Sequence, residues 1–531
     1  MNTKLDKLLV AGGLSLACIQ GACLTALAAA AAPASPDNDN AAPRAAQSAP
    51  PNIVLIFVDD MGYGDIGPFG STKNRTPNLD RMAREGMKLT SFYAAPLCTA
   101  SRTQIMTGCY AKRLSMPMVL GPVSNIGISS KEHTVADLLK KQGYATMIVG
   151  KWHLGDQPPF LPTKHGFDSY FGLPYSNDMN KTDQKGHPPL PLVRNDKPIE
   201  VITDAKQDFL EQRYTEAATQ FIREQAAAKH PFFLYLAHTA VHVPLHPGPN
   251  FKGKSANGPY GDWIEEMDWS TGQVFAALRE LGITDNTLVF FTADNGPWLA
   301  RYKDAGSAGP LRGGKGSTFE GGMRESAIAW WPGKVPAGAT VDTVAGTIDL
   351  LPTFVKFAGG TVPTDNKIDG VDISEILLGK TTESTRKAHY YFSKQTLEAV
   401  RSGPWKLAIT PQDEHVVGSR GLIGAAGNDA SAAKGKRGKA RAAKSHDTNT
   451  NTEPALRLYN LDTDIGERTN VAAQHPDIVA QLQALVAEMN KDLGAEGAGP
   501  GVRPPGQVKH PVGLWVKGQE PSKEVIKEHY D

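Results

Sequence analysis

Cysteine is scarce in this chain of 531 residues: there are four, and two of them, Cys18 and Cys23, lie in an apolar N-terminal stretch. A disulfide-built scaffold is thereby excluded, and only Cys98 and Cys109 are left to the folded part. A charge excess of either sign is also missing, since 56 Lys+Arg stand against 55 Asp+Glu. A surface made as a whole to bind nucleic acid is disfavoured. With 40% hydrophobic and 21% charged residues, the chain is neither a polytopic membrane protein nor disordered throughout. No internal repeat of fixed period occurs. The length suggests two to four domains of roughly 150 residues and a sizeable core, and 53 glycines with 38 prolines point to many loops and turns.

The N-terminus carries Lys4 and Lys7, then an uncharged run from residue 8 to about residue 32 that contains Ala26-Leu27-Ala28. Residues 1–32 are read as a cleaved secretory signal, which places the mature protein in the periplasm or outside the cell. A retained membrane anchor is the alternative, because the run is long enough to span a bilayer. Ser15 and Gln20 occupy places where a lipoprotein signal needs an aliphatic residue. Residues 33–51 are rich in Ala, Pro, Asn and Asp and form a flexible linker. Folding is expected to begin near Asn52.

From there short apolar runs alternate with helical patterns, the signature of βαβ units. The expected fold class is α/β: a large, mostly parallel central sheet flanked by helices over residues 52–385, with a smaller C-terminal antiparallel sheet within residues 386–531. Strands are expected at 53–58, 145–149, 232–236 and 287–291, and helices at 77–85, 132–142, 214–228 and 263–281. Past residue 386 the pattern gives strands near 388–392, 397–401, 405–409 and 456–459, closed by a helix over 477–493. Between them, residues 418–452 are rich in Gly, Ala and Ser and carry Lys434, Lys436, Arg437, Lys439, Arg441 and Lys444. This insertion reads as a solvated segment, with contact to a polyanion as the sharper alternative.

Polar residues fall where such sheets bind ligands, at the carboxyl ends of strands. Asp59 and Asp60 follow the first expected strand, Lys151 and His153 the second, His238 and His242 the third, and Asp294 and Asn295 the fourth. Adjacent acids after one strand are commonly a turn; four coincidences are not. Asp59, Asp60, Asp294 and Asn295 make an all-oxygen set suited to calcium or magnesium and poorly suited to zinc. Arg102, Lys151 and Lys315 add fixed positive charge for an anionic tetrahedral group, and His153 and His242 can move protons near neutral pH. Cys98 is the candidate nucleophile, ahead of an expected helix over 103–107. Its bland alternatives are a small buried hydrophobe and a disulfide to Cys109.

Cys98-Thr99-Ala100-Ser101-Arg102 with Thr107-Gly108, Gly150-Lys151-Trp152-His153-Leu154-Gly155, Asp294-Asn295-Gly296, and Gly314-Lys315-Gly316 with Glu320-Gly321-Gly322 together resemble a type I sulfatase of the alkaline phosphatase superfamily. Residues 231–242, Tyr260-Gly261-Asp262, and Leu458-Tyr459-Asn460-Leu461 with Glu467 and Asn470 resemble the arylsulfatase A and N-acetylgalactosamine-6-sulfatase branch. The resemblance implies hydrolysis of sulfate monoesters, with Cys98 oxidised to formylglycine (3-oxoalanine) by a formylglycine-generating or sulfatase-maturating enzyme. It further implies that Asp59, Asp60, Asp294 and Asn295 hold calcium, or magnesium. Arg102 and Lys151 would stabilise the nucleophile and His153 would assist release, while His242 and Lys315, with Lys151, would bind the sulfate; His238 is read as a wall residue. A hydrated aldehyde suits this chemistry because one hydroxyl attacks sulfur and deprotonation of the other expels sulfate.

Ala100 stands where the commoner motif has proline, and Cys109 where an arginine commonly closes the Thr-Gly-Arg segment. The substrate implied is a sulfated small molecule or carbohydrate, its leaving group held by loops near residues 174–194 and 298–311. No nucleic-acid partner and no membrane span after signal cleavage are expected. Two other readings share the scaffold: a phosphodiester or phosphonate monoester hydrolase, and an inactive sulfatase-like binding protein.

Overall fold

The computed structural model describes residues 49–180, 188–413, 456–495 and 497–520. The expected signal, most of the linker and the basic insertion lie outside the described residues. The main sheet has eleven strands. In chain order these are β1 (Asn52–Val58), β2 (Met87–Tyr93), β3 (Ala145–Gly150), β4 (Ser169–Gly172), β5 (Pro191–Arg194), β6 (Lys197–Val201), β7 (Phe232–Ala237), β8 (Thr287–Ala293), β9 (Arg324–Trp330), β10 (Ala339–Val341) and β11 (Ala345–Gly346). Their spatial order is β10-β2-β9-β8-β1-β7-β3-β4-β5-β6, with β11 also on β2. The centre, β8-β1-β7-β3-β4, is parallel throughout, while β9 runs antiparallel to both its neighbours and β5 and β6 close the other edge antiparallel.

Every residue of β1 is buried, as an unbroken apolar strand inside a parallel sheet must be. Alternate side chains feed two cores. Ile53, Leu55 and Phe57 pack with Tyr235, Phe290, Ile105, Leu138 and Phe354 on one face. Val54, Ile56 and Val58 pack with Leu236, Phe291, Met82, Ile222 and Phe275 on the other. The covering helices are α1 (Pro77–Glu85), α2 (Cys98–Thr107), α3 (Val135–Lys141), α4 (Leu210–Ala228), α5 (Gly258–Glu280) and α6 (Leu350–Phe357). Each fully buried aliphatic or aromatic chain contributes about 1.5–3 kcal/mol relative to exposure.

α4 begins at Leu210, four residues ahead of the expected 214, and three other helix starts differ from the expectation for local reasons. α3 begins at Val135 and not near residue 132, because Thr134 accepts from Asp137 N in a capping box. α5 begins five residues early because Pro259 sits in its first turn. α2 begins at Cys98 itself, so the cysteine lies within the first helical turn and not ahead of it.

β12 (His389–Ser393), β13 (Thr396–Ser402), β14 (Trp405–Ala408) and β15 (Arg457–Asn460) form a separate four-stranded antiparallel sheet, on which α7 (Pro476–Leu493) packs. A buried ionic knot joins it to the main sheet. Glu320 accepts from Tyr93 (2.6 Å), Tyr391 (2.7 Å) and Lys406 (3.0 Å). Lys406 also pairs with Glu467 at 2.8 Å, and Glu467 in turn accepts from the Glu320 backbone. This knot anchors the segment that carries Lys315. No helix among the described residues is long and apolar enough to cross a membrane.

Candidate active site

Four strand ends meet at one buried point. Asp59 and Asp60 leave β1, and the Asp59 amide donates to Ala240 O (2.8 Å) while Val241 N donates back to Asp59 O (2.7 Å). That reciprocal pair ties the loop after β7 to the first carboxylate. Asp60 has φ 57°, a left-handed conformation that Asp tolerates, and its amide donates to Asp294 Oδ1 at 3.1 Å. Asn295 Nδ2 donates to Asp60 Oδ1 at 2.8 Å. Lys151 leaves β3 through Gly150, whose φ is 107° and whose missing Cβ would lie 1.8 Å from Ala237 O; only glycine lets the strands close there.

Around these acids the cations are paired. Lys151 Nζ donates to Asp59 Oδ2 and, at 3.3 Å, to Ser176 Oγ. Arg102 donates to Asp294 Oδ2 (3.0 Å) and to Lys151 O (2.7 Å). Lys315 Nζ donates to Asp60 Oδ2 at 2.8 Å, and His242 Nε2 stands 3.6 Å from that oxygen. Cys98 Sγ lies 3.3 Å from Asp59 Oδ1 and 3.8 Å from Asp60 Oδ1. His153 is set slightly apart: its Nε2 faces Leu120 O at 2.9 Å, and its buried Nδ1 has no partner. All of the expected site residues thus fall in one buried constellation.

Burial pushes the Cys98 thiol well up, and the Asp294 and Asp59 carboxylates push it further. A thiolate is therefore not the resting form, and the bare cysteine is a poor nucleophile here. Burial also acts to raise Asp59, but Lys151, His242, Arg102 and Lys315 outweigh it and hold this carboxyl well below its ordinary value. Asp294 is raised to about 7 by burial and by the charge on Asp59. Burial, then Lys151 and Arg102, push His153 down; burial and Lys315 lower His242. Both imidazoles are neutral at pH 7.

Donor atoms of Asp59, Asp60, Cys98 and His242 lie within 4.8 Å of one another. A sulfur and nitrogen pair would suit zinc, but only as long as residue 98 stays a cysteine. Asn295 Oδ1 is buried without a partner, and an orphaned amide oxygen beside three carboxylates fits a hard cation. The expected all-oxygen set therefore suits the site better.

Some contacts carry no motif in the sequence. Ser176, under both Lys151 and His242, sits in a loop that no pattern marks. Glu211 on α4 lies opposite His238, with Nδ1 and Oε2 2.6 Å apart, and accepts from Thr239 N, Thr239 Oγ1 and Ala240 N at 3.1, 2.8 and 2.9 Å. His238 is thus more than a wall: with Glu211 it pins the loop that bears His242 and braces Asp59. Glu211→Ala is expected to cost about 3–5 kcal/mol by stripping a buried polar cluster of its acceptor, and Glu211→Gln much less; thermal melts of both variants check this. Cys98 and Cys109 are both free. They stand at opposite ends of α2, about 15 Å apart along its axis, so the disulfide alternative fails on reach. Cys109 Sγ instead accepts from Arg503 at 3.4 Å, which brings a guanidinium to the place where the commoner motif has its own arginine.

The family model "Sulfatase" matches residues 51–360, and "C-terminal region of aryl-sulfatase" matches residues 384–498. N-acetylgalactosamine-6-sulfatase of Sus scrofa is 44% identical over 67% of this chain and 71% of its own length. Arylsulfatase A of Bos taurus is 38% identical over 84% of this chain and 89% of its own. The crystal structure of the PsFucS1 sulfatase from Pseudoalteromonas sp. superposes with a TM-score of 0.69 at 29% identity, over 84% of this chain and 91% of that one. With the motifs, the fold and the buried constellation in agreement, the chain belongs to the sulfatase family and is a sulfuric ester hydrolase.

Proposed function

We propose that the protein hydrolyses the sulfate monoester of a sulfated carbohydrate or small molecule, using residue 98 as formylglycine and a calcium ion, or magnesium, held by Asp59, Asp60, Asp294 and Asn295. The carrying observation is Cys98: its sulfur faces two carboxylates of the hard-cation set at 3.3 and 3.8 Å, while its surroundings suppress the thiolate. A maturating enzyme would oxidise it before or during folding, since it is fully buried afterwards. The hydrated aldehyde supplies one hydroxyl to attack sulfur and a second whose deprotonation expels sulfate, and the bound cation would neutralise charge on the reacting oxygens.

The chain's own residues do the rest. Arg102 and Lys151 hold positive charge beside the nucleophilic oxygen, and their pairing with Asp294 and Asp59 fixes them in place. His153 keeps Nδ1 free as an acceptor and is neutral, which suits removal of a proton from the second hydroxyl. Lys315 and His242 converge on Asp60 from another side and would bind the sulfate and support the departing oxygen. The N-acetylgalactosamine-6-sulfatase relative supports a sugar substrate, and the charge-free N-terminal run supports a periplasmic or secreted location.

Cation binding by this set should depend on pH. Asp294 must lose its proton to ligate, and its pKa in the metal-free protein is about 7. Calcium affinity should therefore be level above that pH and fall by about tenfold per unit well below it, where one proton is released per ion bound. Calorimetric calcium titrations of the metal-free protein across this range test it; affinity independent of pH would count against Asp294 as a ligand. The function itself is tested by release of sulfate from aryl and sugar sulfates before and after chelation.

A further inference from the structure

Trp298 follows the Asp294-Asn295 pair by three residues and marks the rim of the site. Its ring centroid lies 5.6 Å from the His242 ring and 4.6 Å from Lys315 Nζ. It packs in a small apolar cluster with Met179, Val243 and Ala300, and Lys315 N donates to Pro297 O at 2.9 Å, so its loop is tied to the lysine loop. Arg301 N donates to Trp298 O at 2.9 Å, and the Arg301 guanidinium carbon sits 3.9 Å from the indole centroid.

Arg301 is exposed and makes no ion pair with any described residue, and the backbone kinks at Tyr302, with φ 51°, before it reaches Asp304. A guanidinium whose face is taken by an indole keeps its in-plane N–H groups for a partner, and their fork matches a carboxylate or sulfate. The two contacts with Trp298 put Arg301 Cζ no more than about 8.5 Å from Lys315 Nζ. A second cation is thus held within about 8.5 Å of the lysine assigned to the scissile sulfate.

We propose that Arg301, braced on Trp298, is a subsite for a second anionic group of the substrate, a carboxylate or a further sulfate carried beside the sulfate that is cleaved. The subsite rests on the roles given above to Lys315 and His242. Its ligand is a polyanionic sulfated sugar in preference to a lone monosulfate.

The test compares Arg301→Gln and Arg301→Lys with the unaltered protein on four substrates: an aryl sulfate, a monosulfated neutral disaccharide, a monosulfated disaccharide bearing a uronate, and a disulfated disaccharide. Arg301→Gln should raise KM about tenfold or more for one or both of the last two, with kcat within about twofold and the first two changed much less. Arg301→Lys keeps the charge but neither the fork nor the stacking, so it should restore at most part of the preference, and the preference of the unaltered protein should weaken with salt. Loss on the uronate substrate assigns a carboxylate, and loss on the disulfated one a sulfate. Calorimetric binding of the same disaccharides to Cys98→Ala protein reads the subsite without turnover, so a failure of the sulfatase chemistry is separable from a failure of the subsite. Equal effects of Arg301→Gln on all four substrates, or no effect on any, would overturn the proposal.

Discussion

Cys98→Ala is expected to lower turnover of an aryl sulfate by roughly 10⁴–10⁶-fold, the scale on which loss of a covalent nucleophile falls, while leaving the melting temperature nearly unchanged. The two effects separate because of where the side chain sits. Cys98 opens α2, and its sulfur faces the carboxylates of Asp59 and Asp60, so alanine removes one sulfur and keeps the helix. Cavity terms for so small a deletion are about 1 kcal/mol or less. Cys98→Ser tests the reason for an aldehyde. A serine hydroxyl can attack sulfur once, forming an O–S bond as the alcohol leaves, but it has no second hydroxyl to expel the sulfate. A burst of at most one equivalent of product, followed by a stall, is the expected record. Full steady-state activity in either variant would remove residue 98 from the chemistry.

Asp60→Asn is the second large effect. Asp60 is the hub of the constellation: Lys315, Asn295 and His242 all approach its carboxylate. Asn adopts φ near 57° as readily as Asp does, so the backbone turn that aims Asn295 and Asp294 should survive. What disappears is one unit of negative charge and one strong oxygen donor. Calcium affinity should fall by more than the roughly 10–100-fold typical of groups that merely orient a ligand, and activity should fall with it at limiting metal. Lys315, having lost its partner, should also place the sulfate less well, so that saturating calcium restores only part of kcat. If metal affinity were unchanged in this variant, the cation would have to be held elsewhere.

The location of the site was legible in the sequence for a physical reason. Parallel strands end on one edge of the sheet, so Asp59, Lys151, His242 and Asp294 had to converge once their strands were recognised. The apolar runs of β1, β3, β7 and β8 made that recognition straightforward. Helix starts were harder to read, since Thr134 and Pro259 act through capping and first-turn geometry that periodicity does not register. Glu211 and Ser176 were invisible for a different reason. Each acts through a contact distant in sequence, between elements that only the tertiary fold brings together, and a glutamate on an amphipathic helix looks like any solvent-facing acid. Cys109 illustrates the same limit, since its guanidinium partner comes from Arg503, almost four hundred residues away in the chain.

If residue 98 works as an aldehyde, mass spectrometry of the tryptic peptide spanning residues 89–102 will show it. In active protein this peptide should carry an aldehyde at position 98, be lighter than the cysteine form, and be labelled by a carbonyl-reactive reagent that also abolishes activity when the unfolded chain is treated and refolded. The fraction converted should track specific activity across preparations, including any shortfall that Ala100 causes in the maturation step. Full activity in protein whose peptide shows only the unmodified thiol would contradict the account.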